Sequence, residues 1–122
     1  MTEGKFPDNN TIQAVIDQLT PIERRNGVVY IFGSIISQGT RLDFPHILIE
    51  IPWPRSALVF VDRDPMANWS HSSRYILINL ETEAVRSYEA KLPPFQPTQS
   101  SRWRLLYQSP SVPDEALMIK PK

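Results

Sequence analysis

The segment from Asp62 to Arg74 holds the side chains of this sequence that are best suited to chemistry. It contains the carboxylates Asp62 and Asp64, the imidazole of His71 and three serines. Aspartate, histidine and serine are the acid, base and nucleophile of many hydrolases, but such a triad is defined by its geometry. The segment has neither a nucleophile elbow nor a recognisable oxyanion hole. We therefore predict no catalytic residue in it, and a non-enzymatic protein is favoured over an enzyme.

The same residues offer ligands for a divalent cation. Asp62 and Asp64 lie two positions apart, and His46 or His71 supplies a nitrogen. Carboxylates with this spacing at the end of a strand are able to face one ion. No H-x-x-x-H or EF-hand spacing accompanies them, so an ordinary solvated turn explains them better. We expect no metal and no other cofactor.

Aromatic residues in the connections suggest a surface that binds another protein. Trp53 lies between two prolines, and Trp69 lies in the polar segment beside His71 and Arg74. Prolines lower the ordering cost of binding, and tryptophans are frequent anchors at interfaces. Each tryptophan also has a structural interpretation, in which its ring folds onto the core. We therefore predict a small protein-binding module, such as an adaptor, an inhibitor or an immunity-type factor. It would use either these aromatic loops or strand addition at a predicted edge strand, Ala84 to Ala90. The predicted partner-binding residues are Trp53, Trp69, His71 and Arg74.

A second hypothesis places a small molecule where the first places a partner. A sheet closed by a helix would enclose an apolar pocket, with Asp62, Asp64 and His71 at its mouth. This domain would bind a small molecule or hydrolyse it. A third arrangement, a homo-oligomer that pairs edge strands, is compatible with either hypothesis.

The composition excludes several classes of protein. Cysteine is absent, which removes disulfides, thiol catalysis and thiolate-bound metals. Thirteen basic and thirteen acidic residues cancel and are spread along the chain, so neither nucleic acid nor an anionic membrane is an expected partner. No apolar run approaches the roughly 20 residues of a membrane helix. Because the first residues lack the apolar segment of a signal peptide, we expect a cytoplasmic protein.

Helical periodicity is confined to the start of the chain. Residues 1–9 are polar and form a predicted flexible lead-in. Four apolar residues then fall on one helical stripe, with Asn10 as the expected cap; they are Ile12, Val15, Ile16 and Leu19. Thr20, Pro21 and Glu23 predict a second short helix, because a capping threonine and a glutamate three residues later form a capping box.

The rest of the chain is typical of strands. The apolar runs on either side of Pro52-Trp53-Pro54, between Pro45 and Asp62, indicate two central strands with apolar neighbours on both faces. Tyr75 to Ala90 predicts a hairpin whose second strand, Ala84 to Ala90, is half exposed and lies at an edge. Further predicted strands cover residues 28–36, 102–108 and 116–119.

These elements predict one α+β domain over residues 10–122, with 93–101 as a Pro-rich connection inside it. An N-terminal amphipathic helix would pack on a curved, mostly antiparallel sheet of five to seven strands. Parallel winding would need crossover helices that the sequence lacks. The alternative is a small β-barrel with a flanking helix.

Overall fold

The computed structural model describes residues 6–44, 47–66, 72–93 and 102–118. Within these ranges the chain forms two α-helices and eight strands, and it ends in a short 3-10 helix, Asp114–Ala116. The helices are α1 (Asn9–Gln18) and α2 (Pro21–Asn26). The strands are β1 (Val28–Phe32), β2 (Ile36–Ser37), β3 (Arg41–Phe44), β4 (Ile47–Glu50), β5 (Arg55–Asp62), β6 (Ser73–Asn79), β7 (Val85–Ala90) and β8 (Trp103–Gln108).

Six of the eight strands form one antiparallel sheet. Its order is β7-β6-β5-β1-β8, and β2 pairs with the start of β5 beyond the end of β1. The sheet is open, so the predicted α+β class with an antiparallel sheet is confirmed, and the alternative of a barrel is wrong. In the described part of the chain, β7 and β8 are the two end strands.

Both faces of this sheet are covered. Val15 of α1 and Leu19, which directly follows this helix, pack on one face, here called the helix face. It contains Val29, Val59 and Ile76. The hairpin β3–β4 packs on the other, here called the hairpin face. The buried aromatic residues of its core are Tyr30, Phe60, Tyr75 and Trp103. Since side chains of a strand alternate between faces, a strand covered on both sides is apolar throughout. This explains the unbroken burial from Ser56 to Asp62 in β5.

The prediction that both apolar runs between Pro45 and Asp62 are central strands is half wrong. β5 is central, but β4 belongs to the separate two-stranded sheet β3–β4. In β4 only one face meets the core, because Ile49 is buried whereas Leu48 is 51% exposed. Pro52 to Pro54 therefore leads from one sheet to the other and is not a hairpin turn.

The ends of the helices follow capping chemistry. The side chain of Asp8 accepts the N–H of Thr11 at 2.8 Å, so α1 is capped by Asp8 and the expected cap at Asn10 is wrong. In α2, Thr20 and Glu23 form the predicted capping box, with Pro21 at the first position. The helix α1 begins at Asn9, the last residue of the predicted lead-in.

Other boundaries differ at two points. The predicted strand 28–36 is interrupted after Phe32, and β2 resumes at Ile36. The predicted strand 116–119 is not formed by its described residues, because Ala116 is the last residue of the 3-10 helix. Leu117, which follows it, is buried in the core below the hairpin face. The hairpin within Tyr75 to Ala90 and its position at an end of the sheet are confirmed.

Candidate partner-binding edge

β7 is a regular end strand. Its pairing with β6 runs from Ser73 opposite Ala90 to Ile78 opposite Val85 without a register shift. The turn before it is held by Asn79, whose side-chain oxygen accepts the N–H of Glu81 at 2.9 Å and that of Thr82 at 3.4 Å. The strand is therefore fixed in position from its first residue.

The direction of the backbone groups of β7 follows from one hydrogen bond. The N–H of Asn79 donates to the carbonyl of Ala84 at 2.8 Å, which marks this pair as hydrogen-bonded. Hydrogen-bonded and non-hydrogen-bonded pairs alternate along an antiparallel ladder. The N–H and C=O groups of Val85, Ser87 and Glu89 consequently point away from β6, to the side where no described strand pairs.

A buried carboxylate lies behind this strand. Glu23 is 1% exposed, and both its oxygens are fully engaged. Oε1 accepts the N–H of Thr20 at 2.9 Å and Nη2 of Arg74 at 2.8 Å. Oε2 accepts Nε of Arg63 at 2.8 Å and Nε of Arg74 at 2.9 Å. Burial raises the pKa of Glu23, but these hydrogen bonds, led by that of Arg74, outweigh it and hold the pKa below its ordinary value.

The two arginines extend from Glu23 to β7. Arg63 forms a bidentate pair with Glu89, at 2.7 and 3.1 Å, and Arg74 donates to the hydroxyl of Ser87 at 2.8 Å. The bond from Arg63 lowers the pKa of Glu89, and that pairing in turn raises the pKa of Arg63. Planar guanidinium groups suit such bidentate contacts. The network of Glu23, Arg63 and Arg74 thus fixes β7 to the helices through its side chains.

Trp53 lies on the hairpin-face side of the same edge. Its ring is half-buried and packs against the core of that face, and the guanidinium of Arg86 lies 5.2 Å from the ring centroid. A cation at this distance is attracted by the face of an indole. Arg86 belongs to β7, so the structure brings Trp53 and the edge strand together although more than thirty residues separate them.

The other predicted partner-binding residues are placed differently. The side chain of Arg74 is 12% exposed and its guanidinium is bound within the chain, so it supports β7 from behind. Trp69 and His71 lie outside the described residues. The network residues Glu23 and Arg63 and the stacking residue Arg86 were not predicted. Only the capping box pointed to Glu23, and no local pattern links it to arginines so distant in sequence.

The residues of the small-molecule hypothesis do not meet in a described cavity. Asp62 is buried and accepts the backbone N–H of Asp64 at 3.0 Å, whereas Asp64 is exposed. A cavity of about 210 Å³ opens elsewhere, beside α1. It and an open, Arg-lined depression beside Gly33 do not include either aspartate. Because His71 is not described, a pocket at these three residues stays a prediction.

Comparison with known proteins identified no relative of this chain. No family model matches the chain, and no curated protein and no solved structure is significantly similar to it. No group of three metal-ligating side chains occurs among the described residues. None of the described helices has the length and apolar character needed to span a membrane.

Proposed function

We propose that this chain is a non-enzymatic protein-binding module that adds an extended strand of its partner to β7. The observation that carries the proposal is the regular edge of β7, whose outward N–H and C=O groups belong to Val85, Ser87 and Glu89. Added strands of this kind obtain affinity from main-chain hydrogen bonds and specificity from neighbouring side chains. An adaptor, an inhibitor or an immunity-type factor would use such an edge.

The contrast with the other end of the sheet supports this choice. Natural proteins protect their edges with bulges, prolines and charged side chains. In β8 the pairing with β1 shifts between Val29 and Tyr30, so that Leu106 is an extra residue and the strand bulges. β7 contains no bulge and no proline.

The two charged side chains of β7 are occupied within the chain. Arg86 stacks on Trp53, and Glu89 pairs with Arg63. They therefore do little to repel an incoming strand. Trp53 adds an aromatic surface on one side of this strand, and the partner-binding surface that we propose consists of β7 and Trp53.

Proline at position 87 tests the proposal. The N–H of Ser87 points away from β6, so Ser87→Pro removes a donor from the outer edge without removing one from the ladder with β6. Both Ser87→Pro and Ser87→Ala lose the hydroxyl that binds Arg74. We expect affinity capture from the native cell to recover the same partner with wild type and Ser87→Ala, and about tenfold less with Ser87→Pro, a difference of about 1.4 kcal/mol.

Thermal unfolding of the three proteins is the control for folding. If Ser87→Pro keeps the melting temperature of Ser87→Ala and still captures the partner fully, strand addition at β7 is wrong. Trp53→Ala measures how much Trp53, the other part of the proposed surface, contributes to capture. We expect it to weaken capture less than proline at 87, because the main-chain bonds remain.

A further inference from the structure

We propose that the strand accepted by this edge is β7 of a second copy of the chain. The two six-stranded sheets would then join edge to edge about a two-fold axis that lies midway between the two copies of Ser87, here called the axis at Ser87. This inference rests on the proposed function, because it takes β7 to be a strand-adding edge, and it specifies the partner.

Symmetry restricts the arrangements of two antiparallel copies of β7. A two-fold axis perpendicular to the sheet keeps the helix faces of both copies on the same side. One residue of β7 must then lie directly opposite the same residue of the second copy, with the axis midway between them. In each copy the side chains of Arg86 and Tyr88 point to the hairpin face, where Tyr88 packs against the core and Arg86 lies over Trp53. Val85, Ser87 and Glu89 supply the hydrogen-bonding groups. Three positions of the axis lie near the middle of β7, and they place Arg86, Ser87 or Tyr88 opposite its own copy.

The side chains favour the axis at Ser87. An axis at Arg86 sets the two Arg86 guanidinium groups opposite each other, and directly opposed like charges destabilise a sheet. An axis at Tyr88 sets Arg86 against the small side chain of Ala90. An axis at Ser87 sets Arg86 against Tyr88 of the second copy, and symmetry makes this contact twice.

That axis also completes a stack of three side chains. In one copy the guanidinium of Arg86 already lies over the ring of Trp53. The neighbouring Tyr88 of the second copy would provide another aromatic ring beside the same guanidinium. Arginine binds aromatic faces through its planar, weakly hydrated cation. The arrangement therefore explains why Trp53 and β7 share one surface.

Electrostatics do not oppose the association. The chain has a formal net charge of zero at pH 7, so two copies do not repel each other as a whole. Within the interface Glu89 would lie opposite Val85 of the second copy, and its carboxylate is already neutralised by both bonds from Arg63. The edge strand, held by the arginine network, needs little reorganisation to pair.

Sedimentation equilibrium of the full chain tests the inference. We expect a concentration-dependent dimer for wild type and Ser87→Ala, and a folded monomer for Ser87→Pro. Because association itself stabilises the folded chain, the melting temperature of Ser87→Pro is compared with that of Ser87→Ala diluted to the monomer. A dimer that persists in Ser87→Pro would overturn the inference, since it would form at another surface. A monomer at all concentrations that still loses a captured partner through Ser87→Pro would overturn the second copy as the occupant and leave the proposed function intact.

Single cysteines test the register, because the chain has no cysteine of its own. With the axis at Ser87, the two Ser87 Cα atoms lie about 5.5 Å apart, within the range of a disulfide, whereas the two Tyr88 Cα atoms lie about 8 Å apart. We expect Ser87→Cys to form a covalent dimer on mild oxidation, and Tyr88→Cys and the turn variant Thr82→Cys to remain monomeric. Cross-linking of Tyr88→Cys without Ser87→Cys would overturn the axis at Ser87.

Discussion

Two buried tyrosines of the hairpin face differ in what their hydroxyl groups meet. The hydroxyl of Tyr30 accepts the N–H of Met118 at 2.9 Å. The ring of Tyr75 stacks on Phe44 with centroids 5.0 Å apart, but its hydroxyl is buried and has no hydrogen-bond partner among the described atoms. Burial raises the pKa of Tyr75, so the phenol stays neutral. A buried polar group without a partner keeps its full desolvation cost.

Tyr75→Phe should therefore stabilise the protein. Removal of the hydroxyl leaves the stacked ring and abolishes the desolvation cost, so we expect the free energy of unfolding to rise by about 1 kcal/mol. Tyr30→Phe is the matched control, and we expect it to lower this free energy by about 1 kcal/mol because Met118 loses its acceptor. Urea titration of both variants measures the difference. A loss of stability in Tyr75→Phe would mean that the hydroxyl has a partner in solution.

Single residues were the least predictable part of the site. Thr20 and Glu23 were predicted to form a capping box, and they do. The same carboxylate also binds Arg63 and Arg74, which lie 40 and 51 positions away. Such contacts depend on strand order, and the sequence gives no periodic signal for strand order. The partner-binding role of Trp53 stays a prediction, and no pattern in the sequence indicated Arg86 as its neighbour.

The turn between β6 and β7 holds one residue, Glu83, in a strained backbone conformation. Glu83 has a φ of 66°, a left-handed conformation that costs a residue with a Cβ about 1 kcal/mol. We expect Glu83→Gly to raise the free energy of unfolding by about 0.5–1 kcal/mol, measured by urea titration. Glu81→Gly is the control. Glu81 is not among the residues with a positive φ, so glycine relieves no strain there and should lower the free energy of unfolding slightly.

Two substitutions in β4 test whether this strand is buried on one face only. Ile49 is 1% exposed and Leu48 is 51% exposed, although both are aliphatic and adjacent. We expect Ile49→Ala to lower the free energy of unfolding by about 2–5 kcal/mol and Leu48→Ala to lower it by less than about 1 kcal/mol. Equal losses in thermal and urea unfolding would show that β4 is covered on both sides, as the apolar run had indicated.

The elements of this fold were easier to predict than their arrangement. Period-two alternation and β-branched residues identified β5, β6, β7 and β8 within a few residues. An apolar run such as Ile47–Glu50 does not reveal which sheet it joins, because burial beside a helix, a hairpin or a second sheet produces similar patterns. The sequence therefore indicated an antiparallel α+β domain, and the small β3–β4 sheet over one face appeared only in the structure.

For the whole molecule, the arginine network predicts sensitivity to acid. The pKa values of Glu23 and Glu89 are lower in the folded chain than their ordinary value of 4.5. Their ionised forms therefore stabilise the fold, and this contribution is fully present above the ordinary value. It is lost as the pH falls below 4.5 and passes through the lowered values, where protonation breaks the bonds from Arg63 and Arg74.

We expect the free energy of unfolding to be nearly constant near neutral pH and to fall steeply below about pH 4.5. Glu23→Gln should lower it by about 3 kcal/mol at pH 7, because both arginines lose their buried partner. The same variant should lose less stability than wild type between pH 5 and pH 3, since one of the two carboxylates that titrate within the arginine network is gone. Urea titrations across this range measure both slopes. Parallel slopes would show that Glu23 does not couple proton uptake to unfolding, and that other carboxylates, such as Glu89, govern the acid limb.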